Sequence, residues 1–181
     1  MGRMGALNDD MGASVVASLT QQYRGFRPAR ILDMGCSVGH STLPYVDAYP
    51  EAEVYAIDVA APMLRYAHAR ATSLGRRVHF SQQNAESTNF PDEPFDLIVS
   101  HILLHETSAQ AIRNIMRECH RLLRKGAMTI HAEVPRYAGM DPYDSFMLDW
   151  DTCNNNATVV QTMVPSAFEQ AKARTRLLQG G

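Results

Sequence analysis

The sequence predicts an α/β protein built on a doubly wound, mainly parallel sheet of about five strands. Three observations point there. Five short runs rich in β-branched and aromatic residues alternate with longer runs of helical period. Most of the five read as near-continuous apolar stretches, which suits strands covered on both faces. The segments between them are long enough for helical crossovers, and right-handed crossovers place helices on both sides of a parallel sheet. At 181 residues the chain is one domain, or one domain with an appendage. A chain of this size buries roughly 70% of the surface its unfolded form exposes, enough for a true core.

The elements follow in order. Ser14–Tyr23 is a helix with Val15, Val16, Leu19 and Tyr23 on one side, and Arg30–Met34 is the first strand. A helix over His40–Tyr49 leads to the second strand, Glu53–Asp58. Ala61–Leu74 carries Leu64, Ala67, Ala71 and Leu74 on one face, with Pro62 suited to a first turn. Arg77–Ser81 and Phe95–Ser100 are the third and fourth strands. Thr107–Lys125 has the clearest helical stripe, from Ile112, Ile115, Met116, Cys119, Leu122 and Leu123, with Arg113, Arg117, Arg121 and Arg124 mostly opposite as a solvated face. Gly126 is placed to stop that helix before a fifth strand, Ala127–Val134. Residues 1–135 thus form the main domain. Residues 136–181 form a helical extension, with helices over Asp144–Asp151 and Pro165–Leu178, suited to a lid or an oligomerisation element.

Composition excludes several classes. Hydrophobic residues make up 45% and charged residues 20%, so the chain is neither disordered nor collagen-like. No apolar run approaches the ~18–20 residues that span a bilayer, and the N-terminus lacks a secretory signal. Net charge is −2 with only two lysines, Lys125 and Lys172, so no nucleic-acid partner and no membrane partner are expected. Cys36, Cys119 and Cys153 fit neither a disulfide framework nor paired zinc spacing, and no metal is expected. A reducing, cytoplasmic setting follows as the expectation.

In sheets of this kind ligands sit beyond the carboxyl ends of the strands. The first strand ends in Asp33-Met34-Gly35-Cys36-Ser37-Val38-Gly39. Glycines there admit unusual dihedrals and close approach of a ligand, and the loop amides with the next helix N-terminus would face it. The alternative is an ordinary strand-to-helix turn. The spacing is G-x-x-x-G, so the dinucleotide fingerprint G-x-G-x-x-G fails. Asp58 closes the second strand 19 residues after Gly39, where an acid is placed to hold two ribose hydroxyls. Its alternative role is to cap the following helix. Together the two features indicate a nucleoside ligand.

Asp33-x-Gly35-x-Ser37-x-Gly39 resembles the first motif of class I S-adenosylmethionine-dependent methyltransferases, D-x-G-x-G-x-G. Ile57-Asp58-Val59 with Pro62-Met63-Leu64 resembles their second motif, Asn84-Ala85-Glu86 their D-A-E, Phe95–Ser100 their fourth-strand motif, and Arg121–Ala127 the R-x-L-k-P-G-G before the fifth strand. The likeness runs over about residues 13–135 and is greatest to the small-molecule enzymes typified by ubiquinone and menaquinone biosynthesis. It implies a Rossmann-like methyltransferase fold and S-adenosylmethionine as cofactor, with S-adenosylhomocysteine as product. It also implies a small-molecule methyl acceptor and a cofactor site of Asp33, Gly35, Cys36, Ser37, Gly39, Asp58, Val59, Met63, Asn84, Ala85, Glu86 and Ser100. The departures are Ser37 for glycine, Asn84 for aspartate, whose amide oxygen still accepts a hydrogen bond, and Lys125-Gly126-Ala127 for P-G-G. The chain also looks shortened at both ends. Only 46 residues follow Pro135, with no clear strand pair for the family's C-terminal β-hairpin. The fifth strand is then an edge, open to a second copy in a homodimer.

Methyl transfer needs alignment of acceptor, methyl and sulfur more than it needs a base. His101 and His105 after the fourth strand are the catalytic candidates, four apart and on one face if that turn is helical. Otherwise they shape the pocket. His131 and Glu133 share a strand face near the fifth strand's end. Two competing functions remain: a non-catalytic or partner-dependent methyltransferase-like domain, and an NAD(P)-dependent oxidoreductase on the same architecture.

Overall fold

A computed structural model describes residues 6–133 and Tyr143. The elements run α1 (Ala6–Gln22), β1 (Arg30–Met34), α2 (Leu43–Ala48), β2 (Glu53–Asp58), α3 (Ala61–Ser73), β3 (His79–Gln82) and β4 (Phe95–His101). A 3-10 turn (Leu104–Glu106), α4 (Ala109–Leu122) and β5 (Leu123–Ala132) follow. The five strands lie in the order β3-β2-β1-β4-β5, and every pairing is parallel. The chain winds outward from β1 to β3, then returns to the other side of β1 for β4. Strand order therefore reverses between β1 and β4, which opens a crevice at their carboxyl ends.

Alternation along the strands explains the two cores. Leu32, Met34, Ile57 and Ile98 face Ile115, Cys119 and Leu122 of α4. Ile31, Val54, Leu97 and Val99 point the other way, against Leu19 of α1 and Tyr45 of α2. The α4 stripe read from the sequence is thus the buried stripe, and Ser108 caps the helix by accepting a bond from the Ala111 N–H at 3.2 Å. Burial on both faces holds for the central strands β1, β2 and β4, whereas the outer strands β3 and β5 are only half-buried.

Several boundaries depart from expectation. The helix does not continue to Lys125, and Gly126 does not end it. The chain passes from Leu122 straight into β5, where Leu123 pairs with Phe95. The register then slips, because Leu97 pairs with Met128, and the surplus residues bulge out with Gly126 at φ +83°. Arg124, in the bulge, forms an ion pair with buried Asp96 of β4. The apolar pair Leu122-Leu123 suits a helix stripe and a strand start equally, so periodicity could not place the boundary. Helix α2 begins at Leu43 rather than His40, and its N-cap Thr42 makes no side-chain cap because its hydroxyl goes to Asp33 at 2.6 Å. Strand β3 begins at His79 rather than Arg77, and α1 begins at Ala6.

No helix among the described residues is long and apolar enough to cross a membrane. The expected helices at Asp144–Asp151 and Pro165–Leu178, and with them any hairpin and all of the 136–181 extension but Tyr143, lie outside the described residues.

Candidate functional site at the carboxyl ends of the strands

The loop after β1 is a run of left-handed residues: Gly35 at φ +72°, Ser37 at φ +48° and Gly39 at φ +76°. It folds upon itself. The Gly35 and Cys36 N–H groups donate to the Ile57 carbonyl at 2.8 and 3.0 Å, and the Gly39 N–H donates to the Cys36 carbonyl at 2.8 Å. The Ser37 N–H donates to Asp58 Oδ2 at 2.8 Å. Four loop amides are thus spent within the chain, so the expectation that the loop amides face a ligand is corrected. So is the placing of a helix N-terminus beside the loop, because α2 starts four residues past Gly39 and has six residues. A Cβ on Gly35 would stand 2.8 Å from Leu103 Cδ1, and one on Gly39 would stand 3.3 Å from the Ala67 Cβ. The glycines therefore serve close packing as well as dihedral freedom.

Ser37 holds a left-handed conformation that costs an L-residue roughly 1 kcal/mol. Ser37→Gly keeps the amide that bonds Asp58 and removes that strain. It should raise the unfolding free energy by up to about 1 kcal/mol, read as a higher denaturant midpoint with an unchanged slope.

Cys36 is buried against Ala56 and Leu64, so only its backbone belongs to the loop's exposed side. Burial first, then the charges of Asp33 and Asp58, push its thiol far above the ordinary range. The loop therefore sits in the field of two carboxylates.

Asp58 occupies the end of β2, beside the loop. Its Oδ2 accepts from the Ser37 N–H and its Oδ1 from the Ala60 N–H, each at 2.8 Å. The helix-capping role and the loop contact coexist. A carboxylate offers about four acceptor positions, and two remain. Val59 and Met63, on the turn and first helical residues beyond, are 64% and 44% exposed, which leaves apolar surface next to the free side of Asp58.

After β3, Asn84 Oδ1 accepts from the Glu86 N–H at 2.9 Å, an Asx turn that fixes the segment. Ala85 is in the core, and Glu86 reaches away to Asn114 of α4 at 2.7 Å.

At the end of β4 the candidates separate. Ser100 is fully buried and pairs with His131 Nδ1 at 2.7 Å, while His131 Nε2 meets Thr129 Oγ1 at 3.0 Å. Burial, with a smaller effect of His101, holds His131 down to about 4, so it is neutral at pH 7. His101 points to the opposite face, toward Tyr45 and Asp33. Ile102 at φ +60° breaks the chain direction before His105 enters the 3-10 turn. The two histidines are thus not a helical i, i+4 pair. Glu133 Oε1 accepts from the Leu104 N–H at 2.9 Å and pins that turn, and burial raises its carboxyl while the Leu104 and His105 amides oppose the rise.

Thr42 and Tyr45 went unnoticed in the sequence. Both are completely buried, one bonded to Asp33 and the other to His101. The tyrosine contact bridges 56 positions of sequence, and no local pattern signals it.

Residues 31–126 match the family described as "Methyltransferase domain". A malonyl-[acyl-carrier protein] O-methyltransferase of Methylococcus capsulatus is 34% identical over 124 residues, covering 67% of this chain and 42% of that protein. A demethylmenaquinone methyltransferase of Thermus thermophilus is 32% identical over 114 residues, covering 60% of this chain and 48% of that one. The chain therefore spans less than half the length of these relatives. Among solved structures, the YcgJ protein of Bacillus subtilis superposes with a TM-score of 0.58 at 30% identity, over 74% of this chain and 56% of that one. With residues 31–126, more than half of its length, matched by that family, the chain belongs to the methyltransferase-domain family.

Proposed function

We propose that the protein binds S-adenosylmethionine at the carboxyl ends of β1 and β2 and transfers its methyl group to a small molecule. What supports this most is how the glycine loop spends its amides. A dinucleotide's pyrophosphate needs a row of free backbone donors, and here four of them are bonded inside the chain. Asp33 and Asp58 make the loop's surroundings negative instead, which repels a pyrophosphate and suits a cationic sulfonium. The G-x-x-x-G spacing disfavours the nicotinamide alternative on the same grounds. The relatives' names support the acceptor class: they act on a malonyl-[acyl-carrier protein], demethylmenaquinone and trans-aconitate.

The residues present fit such a cofactor. Asp58 retains two acceptor positions for ribose hydroxyls, held in place by two backbone bonds. Val59 and Met63 offer apolar surface for a flat base, and the Asx turn presents Asn84 beyond it. When bound, S-adenosylmethionine supplies an electrophilic methyl group on a positively charged sulfur. The protein's own part is to hold the acceptor in line and exclude water, which in favourable cases lowers a barrier by about 7–11 kcal/mol. The turn Leu104–Glu106, fixed by Glu133, lies at the β4 end and is the part of this chain suited to form the acceptor side.

Calorimetric titration with S-adenosylhomocysteine tests the proposal. Micromolar binding is expected, and Asp58→Ala should weaken it at least tenfold, about 1.4 kcal/mol. Absence of binding by the intact chain, or equal binding by the variant, overturns it.

A further inference from the structure

We propose that His101 is a positioning residue: its Nδ1–H is directed at Asp33, and through that contact it holds the glycine loop in its binding shape. The inference rests on the cofactor reading above only for its effect on affinity.

Four buried polar side chains meet beneath the loop. Thr42 and Tyr45 are 0% exposed, Asp33 is 1% exposed, and the His101 side chain is 5% exposed. The Thr42 hydroxyl donates to Asp33 Oδ2 at 2.6 Å. Asp33 stands two residues before Gly35 and Thr42 three residues after Gly39, so this bond closes the loop from entry to exit. The Tyr45 oxygen lies 3.2 Å from His101 Nε2, and His101 Nδ1 lies 3.7 Å from Asp33 Oδ1. Those last two atoms, Nδ1 and Oδ1, are both buried and both lack a hydrogen-bond partner among the described residues.

Their facing positions decide where a proton sits. If Nδ1 were bare, its lone pair would confront a carboxylate oxygen, leaving two buried acceptors unsatisfied and repelling each other. A proton on Nδ1 gives both a partner after a shift of a few tenths of an ångström, and makes the contact charge-assisted. Burial, then the Asp33 charge, keeps the Tyr45 phenol protonated and able to donate to Nε2. The charged and titratable groups around His101 are then Asp33, Tyr45, Glu133 and, across the strand, neutral His131. Both ring nitrogens of His101 are engaged inside the fold. It therefore does not take a proton from the acceptor, and its work is to keep Asp33 oriented while Asp33 holds the loop.

Long-range proton–nitrogen NMR on the full chain without ligand reads the ring directly. Protonated Nδ1 at neutral pH is the expected result, and bare Nδ1 with the proton on Nε2 overturns the proposal. Two substitutions then separate positioning from packing. The His101→Asn amide nitrogen reaches where Nδ1 stood, and His101→Gln reaches where Nε2 stood. S-adenosylhomocysteine affinity should stay within about threefold in His101→Asn and fall about tenfold in His101→Gln, the loss of one bond to a charged group. Equal loss in both, or in neither, overturns the proposal. If the unaltered chain fails to bind the ligand, the cofactor reading falls, and the ring's protonation still decides the role of His101.

Discussion

Replacing Asp96 by alanine should lower the unfolding free energy by about 3–5 kcal/mol, the cost of removing one partner from a buried charged network. Asp96 is the second residue of β4 and is 3% exposed. Its Oδ2 accepts from the Ala29 and Arg30 N–H groups at 2.7 and 2.9 Å, and Oδ1 pairs with Arg124. One carboxylate thus joins three segments: the entry to β1, the start of β4 and the bulge that opens β5. Alanine leaves two backbone donors and a guanidinium without their acceptor. Urea unfolding followed by circular dichroism measures the loss. Asp96→Asn keeps an acceptor for the amides and should lose about half as much. A change below about 1 kcal/mol in the alanine variant would show that the bulge and the strand entry hold without this group.

Glu118→Gln should remove Glu118's own share of the acid sensitivity between about pH 4.5 and pH 2, at a cost of about 2 kcal/mol at neutral pH. Glu118 of α4 is buried, and burial alone would raise its carboxyl. Two bonds from Arg121 and two from Thr88 outweigh burial and pull it from the ordinary 4.5 down to about 2. Arg121 Nε and Nη2 reach Glu118 at 2.9 and 2.5 Å, while Nη1 reaches the Phe90 carbonyl and Asp92 at 2.9 and 2.8 Å. The Thr88 N–H and hydroxyl donate to the same carboxylate at 2.8 and 2.6 Å. The group is more acidic when folded. Its stabilisation is therefore complete above the unfolded value of 4.5 and disappears as pH falls through about 2. Unfolding midpoints across that range should slope less steeply for the variant than for the wild-type chain.

The parts legible in the sequence are those governed by local pattern. Strands β1 and β2 have the expected limits, because each is a short run of mostly apolar residues too brief for a helix. Helix α3 has a proline in its first turn and a regular apolar face, and it too falls where expected, within one residue. What stayed hidden depends on contacts across the chain. The α4–β5 junction is set by Asp96 and by the register of Phe95 with Leu123, neither visible in the run Leu122-Leu123. Glycine spacing marks the loop after β1, but it does not tell whether the amides point to a ligand or to the Ile57 carbonyl. His101 stood out as a histidine after the fourth strand. Its direction toward Tyr45 and Asp33 follows from the face it occupies on β4, opposite to that of Ser100 with its bond to His131.

The most direct test of a cofactor site at the β1 and β2 ends is residue-resolved: backbone amide NMR of the full chain titrated in parallel with S-adenosylhomocysteine and with NADH. The site described here predicts saturable shifts with S-adenosylhomocysteine, concentrated at Gly35–Gly39, Asp58–Met63 and Asn84–Glu86, and none of comparable size with NADH. Shifts confined elsewhere, or the same loop responding to NADH alone, would contradict it.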